Sequence, residues 1–194
     1  MLRVGITGGI GSGKSTISKI FEVLGIPVYY ADDAAKRLMN NDEELKALII
    51  KNFGEESYKN GELDRKYLAS IVFNNKEKLE LLNSLTHPVT IRDAEQWMNR
   101  QTSPYCIKEA ALLFESGAAE HLDYVIGVYA PQHIRVKRVM DRDGLTTEEV
   151  TKRISRQIEE EMKMKLCNFV ITNNDKQLVI PQVLELDKKF RAVI

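Results

Sequence analysis

Gly8-Gly9-Ile10-Gly11-Ser12-Gly13-Lys14-Ser15 satisfies the pattern G-x-x-x-x-G-K-[ST] in full. Each residue type there has a mechanical reason. Glycines let the backbone turn successive N–H groups into one concavity, where they hold phosphate oxygens. A helix beginning near Lys14 adds its positive N-terminal end. Lys14 is then placed to reach the β- and γ-phosphates of a nucleotide, and the Ser15 hydroxyl suits Mg²⁺. A chance match would arise in on the order of one chain in a hundred of this length. The flanks argue against chance. A continuous apolar run, Leu2–Thr7, comes before, and Ile17, Ile20, Phe21 and Leu24 follow at helical spacing.

Outward from the loop, Gly25 ends the first helix and Pro27 lies just beyond it. Residues 26–30 read as a second strand, so the unit is strand–helix–strand with a parallel, right-handed crossover. Residues 33–99 read as mostly helical, with Leu45, Leu48, Ile49 and Phe53 on helical faces. Leu79, Leu82 and Leu85 continue the pattern until His87-Pro88, where an interruption is expected. No strand stands out in this stretch, which reads as a helical insertion into an α/β core. Tyr105–Glu109 is a weak third strand interrupted by Lys108, and Tyr124–Tyr129 is a strong fourth. Residues 132–166 are charged and helical with a break near Asp143-Gly144; Phe169–Thr172 is a fifth strand, and a helix closes the chain. Strands alternating with helices predict an open, mostly parallel α/β sheet.

The 194 residues suit one domain with small insertions and bury a core without disulfides. Lys plus Arg and Asp plus Glu are 28 each, a balance that argues against nucleic acid as the main partner. Cys106 and Cys167 lie far apart without metal-ligand spacing and read as two buried thiols. Three scattered histidines leave no zinc constellation. No apolar run approaches a membrane span, and the N-terminal run leads into glycines rather than a cleavage site. A cytoplasmic protein without a membrane partner is expected, monomeric or a weak homo-oligomer.

Open α/β sheets bind ligands beyond the carboxyl ends of their strands. Asp32 and Asp33 lie just past the second strand, where one carboxylate can take the proton of an attacking hydroxyl or help hold metal. Capping of the next helix explains them equally well, and position alone does not choose between them. Glu109, after the third strand, is a candidate Mg²⁺ ligand, with an exposed loop glutamate as the plain alternative; Glu115 is similarly ambiguous. Arg135, Arg138 and Arg142 share a helical face, and Arg153, Arg156 and Gln157 cluster on the next helix. Beside a phosphate loop they read as a mobile lid rather than a solvated face. Asp141-Arg142-Asp143-Gly144 also spells D-x-x-G, but it lies between helices with no N-K-x-D after it, and reads as coincidence.

Taken together, ITGGIGSGKST, VYYADDAAKRL, LNSLTHPVTIR, ALLFESG, RVMDRDGLTTEEVTKRISRQ and FVITNN resemble, in order, the motifs of the dephospho-coenzyme A kinase family. The resemblance runs from about residue 2 to about residue 180. It implies a three-layer P-loop NTPase core with a five-stranded parallel sheet (1–32, 100–132 and 166–194), a helical substrate-binding subdomain (33–99) and a small helical lid (133–165). It implies transfer of the ATP γ-phosphate to the 3′-hydroxyl of dephospho-coenzyme A, with Mg²⁺, as the last step of coenzyme A synthesis. By position, Asp32 is the base that activates the hydroxyl, and Lys14 and Arg138 stabilise the transferring phosphate. Gly8, Gly9, Ile10, Gly11, Ser12, Gly13, Lys14, Ser15 and Thr16 hold the nucleotide, with Arg142 as a helper and Asn173 near the adenine. His87 and Leu112, with Asp32, line the substrate cleft, and Ser15 and Glu109 face the metal. The sequence departs from the family pattern at Tyr30, Glu109 and Ala111, where Asp, Asp and Pro are usual. It departs again at Arg135, where Gln is common, and at Cys167-Asn168 in place of Ala-Asp.

Two other readings remain in view: another P-loop small-molecule kinase acting on a nucleoside monophosphate or similar alcohol, and an ATP-binding regulatory module without turnover. The first differs in its substrate region, the second in binding nucleotide without consuming it.

Overall fold

The computed structural model describes residues 1–73 and 75–193. Along the chain run β1 (Leu2–Thr7), α1 (Lys14–Val23), β2 (Val28–Tyr30), α2 (Ala31–Asn41) and α3 (Glu43–Phe53). A 3-10 turn (Glu55–Ser57) leads to β3 (Tyr58–Lys59), β4 (Glu62–Leu63), α4 (Arg65–Val72) and α5 (Lys76–Met98). Then come β5 (Tyr105–Glu109), β6 (Tyr124–Tyr129), α6 (Gln132–Asp143), α7 (Thr147–Ile154), α8 (Glu160–Leu166), β7 (Phe169–Thr172) and α9 (Val179–Ala192). They form two compact units: Met1–Tyr30 together with Met98–Ile194, and Ala31–Trp97.

In the first unit a five-stranded sheet runs in the order β2-β5-β1-β6-β7, with every neighbouring pair parallel. Parallel pairing needs a crossover on a sheet face, so both faces are covered and the inner strands read as continuous apolar runs. On one face Val4, Ile6, Tyr105, Ile107, Ile126, Val128 and Ile171 pack against Ile17 and Phe21 of α1 and Val183 and Phe190 of α9. Tyr105 anchors this layer: its ring meets Phe190 at 5.3 Å, and its hydroxyl donates to Asp187 at 2.6 Å. On the other face Gly5 and Gly127 make room for close approach. A Cβ on Gly5 would sit 2.7 Å from Leu113 and Leu122; one on Gly127 would sit 2.6 Å from Met164 of α8. Helix, sheet and helix thus give three layers around the expected five parallel strands. Lys108 does not interrupt β5 as its charge suggested. It is 3% exposed within an unbroken strand, because the neighbouring β1 and β2 fix the backbone whatever side chain it carries. Cys106 is buried and Cys167 half-buried, and burial pushes both thiols up to about 11, which keeps them inert.

The second unit builds its own core from Leu38, Leu45, Ile49, Phe53 and Leu68, flanked by Leu81, Leu82, Leu85 and Val89 of α5. Asp42 and Asp64 cap α3 and α4 by accepting the Leu45 and Tyr67 N–H groups at 2.9 and 3.0 Å. Two sequence expectations fail here. Helix α5 runs straight through Pro88, because Leu82 and Leu85 before it and Val89 after it pack on one core and outweigh the single backbone bond that proline removes. A small antiparallel hairpin also appears, pairing Tyr58 with Leu63 and Lys59 with Glu62. Asn60 (φ 53°) and Gly61 (φ 85°) form its two-residue turn, the left-handed pair that hairpins of this length require.

Candidate active site

The strand order changes sense about β1, which lies between β5 and β6, and the glycine-rich loop leaves the carboxyl end of that strand. The loop closes on itself through Ser12 N–H to Gly9 O at 3.1 Å, and Gly13 N-caps α1 in the left-handed region (φ 93°). A side chain on Gly13 would overlap the Asn173 amide, and one on Gly11 (φ 79°) would come within 2.5 Å of the Arg135 carbonyl. Glycine is required at both on two counts, backbone angle and space. Lys14 is nearly buried and donates to Gly8 O at 3.0 Å and Gly9 O at 3.4 Å, so its ammonium lies along the loop's inner edge. Gly8, Ile10 and Ser12 complete the turn, with the buried Ser12 hydroxyl lacking a hydrogen-bond partner among the described residues. Ser15 and Thr16 begin the exposed side of α1.

Glu109, the last residue of β5, is buried and accepts a hydrogen bond from the Ser15 hydroxyl at 3.3 Å. Two hard oxygen donors so paired beside a phosphate loop fit Mg²⁺, which takes few protein ligands and keeps the rest of its shell for phosphate and water. Among the described residues no group of three or more His, Cys, Asp or Glu could hold a metal by itself. Arg138 of α6 reaches the loop's far side: it donates to Gly11 O (3.4 Å), Ser12 O (3.3 Å), Asn173 O (3.1 Å) and Asp175 (2.5 Å). Asn173 in turn donates to Ser12 O at 2.8 Å. The structure therefore gathers Lys14, Ser15, Glu109, Arg138 and Asn173 around one loop.

Other expected site residues have other partners or belong to the second unit. Arg142 pairs with its neighbour Asp143 at 2.7 and 2.9 Å rather than with the loop, and Arg153 faces the same carboxylate at 3.7 Å. Arg156 and Gln157 lie beyond α7, not on it, since that helix ends at Ile154. Leu112 is half-buried in the turns after β5. Asp32, Asp33 and His87 belong to the second unit. Both aspartates sit inside the exposed first turn of α2, where Asp33 pairs with Lys36 at 2.6 Å, and His87 lies on α5.

Two charged residues at the loop had no individual signal in the sequence. Glu160 accepts the Gly9 N–H at 3.1 Å and lies 3.4 Å from Arg135, and Lys163 is fully buried with Glu115 at 2.9 Å and Ala111 O at 3.1 Å. Burial pushes the Glu160 carboxyl upward against the pull of Arg135, Lys163, the Gly9 N–H and Lys14. The spacing of Glu160 and Lys163 is what a solvated helix also shows, so only the fold distinguishes them.

A family model described as dephospho-CoA kinase matches residues 2–178. The chain belongs to the dephospho-CoA kinase family. A dephospho-CoA kinase of Bacteroides fragilis is 37% identical over 186 residues, which cover 95% of this chain and 91% of that one. The crystal structure of a Thermus thermophilus protein superposes with a TM-score of 0.82 at 36% identity, covering 97% of this chain and 96% of the other. Dephospho-CoA kinase from Campylobacter jejuni gives 0.71 at 32% identity, covering 98% and 97%. The expected P-loop kinase fold and the family resemblance both stand. The family is one of kinases, which makes ATP the phosphate donor for this loop. Among the described residues no helix is long and apolar enough to cross a membrane.

Proposed function

We propose that this chain transfers the γ-phosphoryl group of ATP to the 3′-hydroxyl of dephospho-coenzyme A, giving coenzyme A and ADP. The observation that carries the reading is the convergence of Lys14, the Ser15–Glu109 pair and Arg138 on one complete glycine-rich loop, in a chain of this family. Loop N–H groups and Lys14 bind and orient the triphosphate. Asp32 takes the proton of the 3′-hydroxyl as its oxygen bonds to the γ-phosphorus and the bond to the ADP oxygen breaks. Lys14 and Arg138 offset charge on the transferring group. Ser15 and Glu109 would hold Mg²⁺, which supplies charge neutralisation on the phosphates. Asn173 and Arg142 serve the nucleotide side, His87 and Leu112 the acceptor side. In this reading residues 33–99 bind the acceptor, residues 133–165 act as the lid, and the enzyme works in the cytoplasm without nucleic acid, as a monomer or weak homo-oligomer.

The test is ADP formation by the purified protein with Mg²⁺-ATP and dephospho-coenzyme A, AMP, CMP, pantothenate or no acceptor. Turnover is expected with dephospho-coenzyme A alone. Asp32→Asn should lose about a hundredfold or more of it while binding ATP as before. Turnover with AMP or CMP instead would transfer the reading to the nucleoside monophosphate kinases. ATP binding without turnover on any acceptor would leave a regulatory module.

A further inference from the structure

Arg135 rises from the first turn of α6 and is 4% exposed. One terminal nitrogen lies so close to Gly9 that a Cβ there would overlap it, while its Nε is buried without a hydrogen-bond partner among the described residues. A guanidinium carries five donors in a rigid fork, and burial makes each unmet donor costly. Its ionic partner is Glu160, at the loose distance of 3.4 Å. Glu160 divides its carboxylate between that guanidinium and the Gly9 N–H, which it accepts at 3.1 Å. Three residues earlier, Gln157 Oε1 accepts the Ile10 N–H at 3.0 Å. The segment preceding and opening α8 thus holds two successive N–H groups of the phosphate loop.

A carboxylate shared by a loop N–H and a buried arginine does what a phosphate oxygen would do there. Lys14 and the fully buried Lys163 also act on Glu160, so the place is cationic on several sides. The fit is nonetheless incomplete. Desolvation outweighs all these partners at Glu160, and the Arg135 Nε has no partner among the described residues. Both residues line a cleft of about 420 Å³ with Gln157 and Tyr129, which gives an incoming anion access. Glycine occupies the position beside Arg135, and the guanidinium fills the space a side chain would take.

We propose that Glu160 is an internal stand-in for a nucleotide phosphate oxygen, and that its displacement by ATP frees Arg135 to become a further phosphate-binding residue. The inference rests on the reading that this loop binds ATP. Nucleotide and Glu160 then compete for Gly9 N–H and Arg135, and binding detaches Glu160 from the loop. Arg135 is distinct from Arg138, whose guanidinium serves Gly11, Ser12 and Asn173 on the loop's other side.

Calorimetric titration of the intact protein with ATP, and separately with inorganic tripolyphosphate, tests it. Glu160→Gln is close to the same shape, keeps an oxygen for Gly9 and removes the competing charge. It should bind both ligands about tenfold more tightly, a gain common to both because the base takes no part. Arg135→Gln should bind both about tenfold more weakly, and in that background Glu160→Gln should gain much less. If Glu160→Gln does not fold, Glu160→Asp, with its carboxylate one methylene withdrawn, should give a smaller gain in the same direction. Unchanged or weaker binding in the Glu160 variants, or unchanged binding in Arg135→Gln, overturns the proposal. A wild-type protein that binds ATP yet behaves so leaves the kinase reading intact, whereas one that binds neither ligand refutes both.

Discussion

Glu109 is buried and Glu160 partly buried at the phosphate loop, and their surroundings give the two carboxylates different chemistry. Glu109 stands at the end of a central strand with the Ser15 hydroxyl against it, a fixed oxygen donor. Glu160 lies between Arg135 and Gly9, and burial raises its carboxyl above the ordinary glutamate range. The sign of the consequence follows from proton counting. Between its unfolded and its raised folded value this carboxyl binds more protons in the folded chain. Its contribution to stability is full below the ordinary range and is lost as pH rises through the folded value. Urea midpoints measured from acid to neutral pH should therefore carry a downward component that is missing in Glu160→Gln; identical profiles in the two proteins would contradict it. Glu109 was legible in the sequence because it stands at the carboxyl end of a strand, where open α/β sheets bind ligands. Glu160 was not, because an acid in a helix of alternating charge looks solvated until the loop it touches is in place.

At the scale of elements, the patterns that local physics dictates were the readable ones. Continuous apolar runs predicted β1 and β6 plainly and β5 only weakly, since Lys108 breaks its run, and the glycines after Thr7 placed the start of α1. Pro88 misled, since its local cost falls on one backbone bond while packing on both sides of it carries α5 onward. The hairpin was missed for the opposite reason: its strands are too short to show alternation, although Asn60-Gly61 is the turn signal. Gly61 has φ 85° and no neighbouring atom in the way of a Cβ. Gly61→Ala should therefore cost only backbone strain, about 1 kcal/mol, read as a shift in the urea midpoint. No shift would mean that the turn does not need its left-handed glycine.

At the scale of the molecule, the two units divide the readable from the unreadable. The first carries a sheet whose parallel order follows from alternating strands and helices, and the loop at the end of β1 follows with it. Long-range contacts that complete the loop, from Arg135, Glu160 and Asn173, come from residues more than a hundred positions away and leave no local trace. Asp32, on which the proposed chemistry turns, stands in the second unit at the head of that unit's first helix. The most direct test of the whole account is to incubate the protein with Mg²⁺-ATP and dephospho-coenzyme A and locate the new phosphate by phosphorus–proton NMR. The account predicts a phosphomonoester coupled to the ribose 3′ proton, formed one for one with ADP. Phosphate on any other oxygen, or ADP formed without a phosphorylated acceptor, would contradict it.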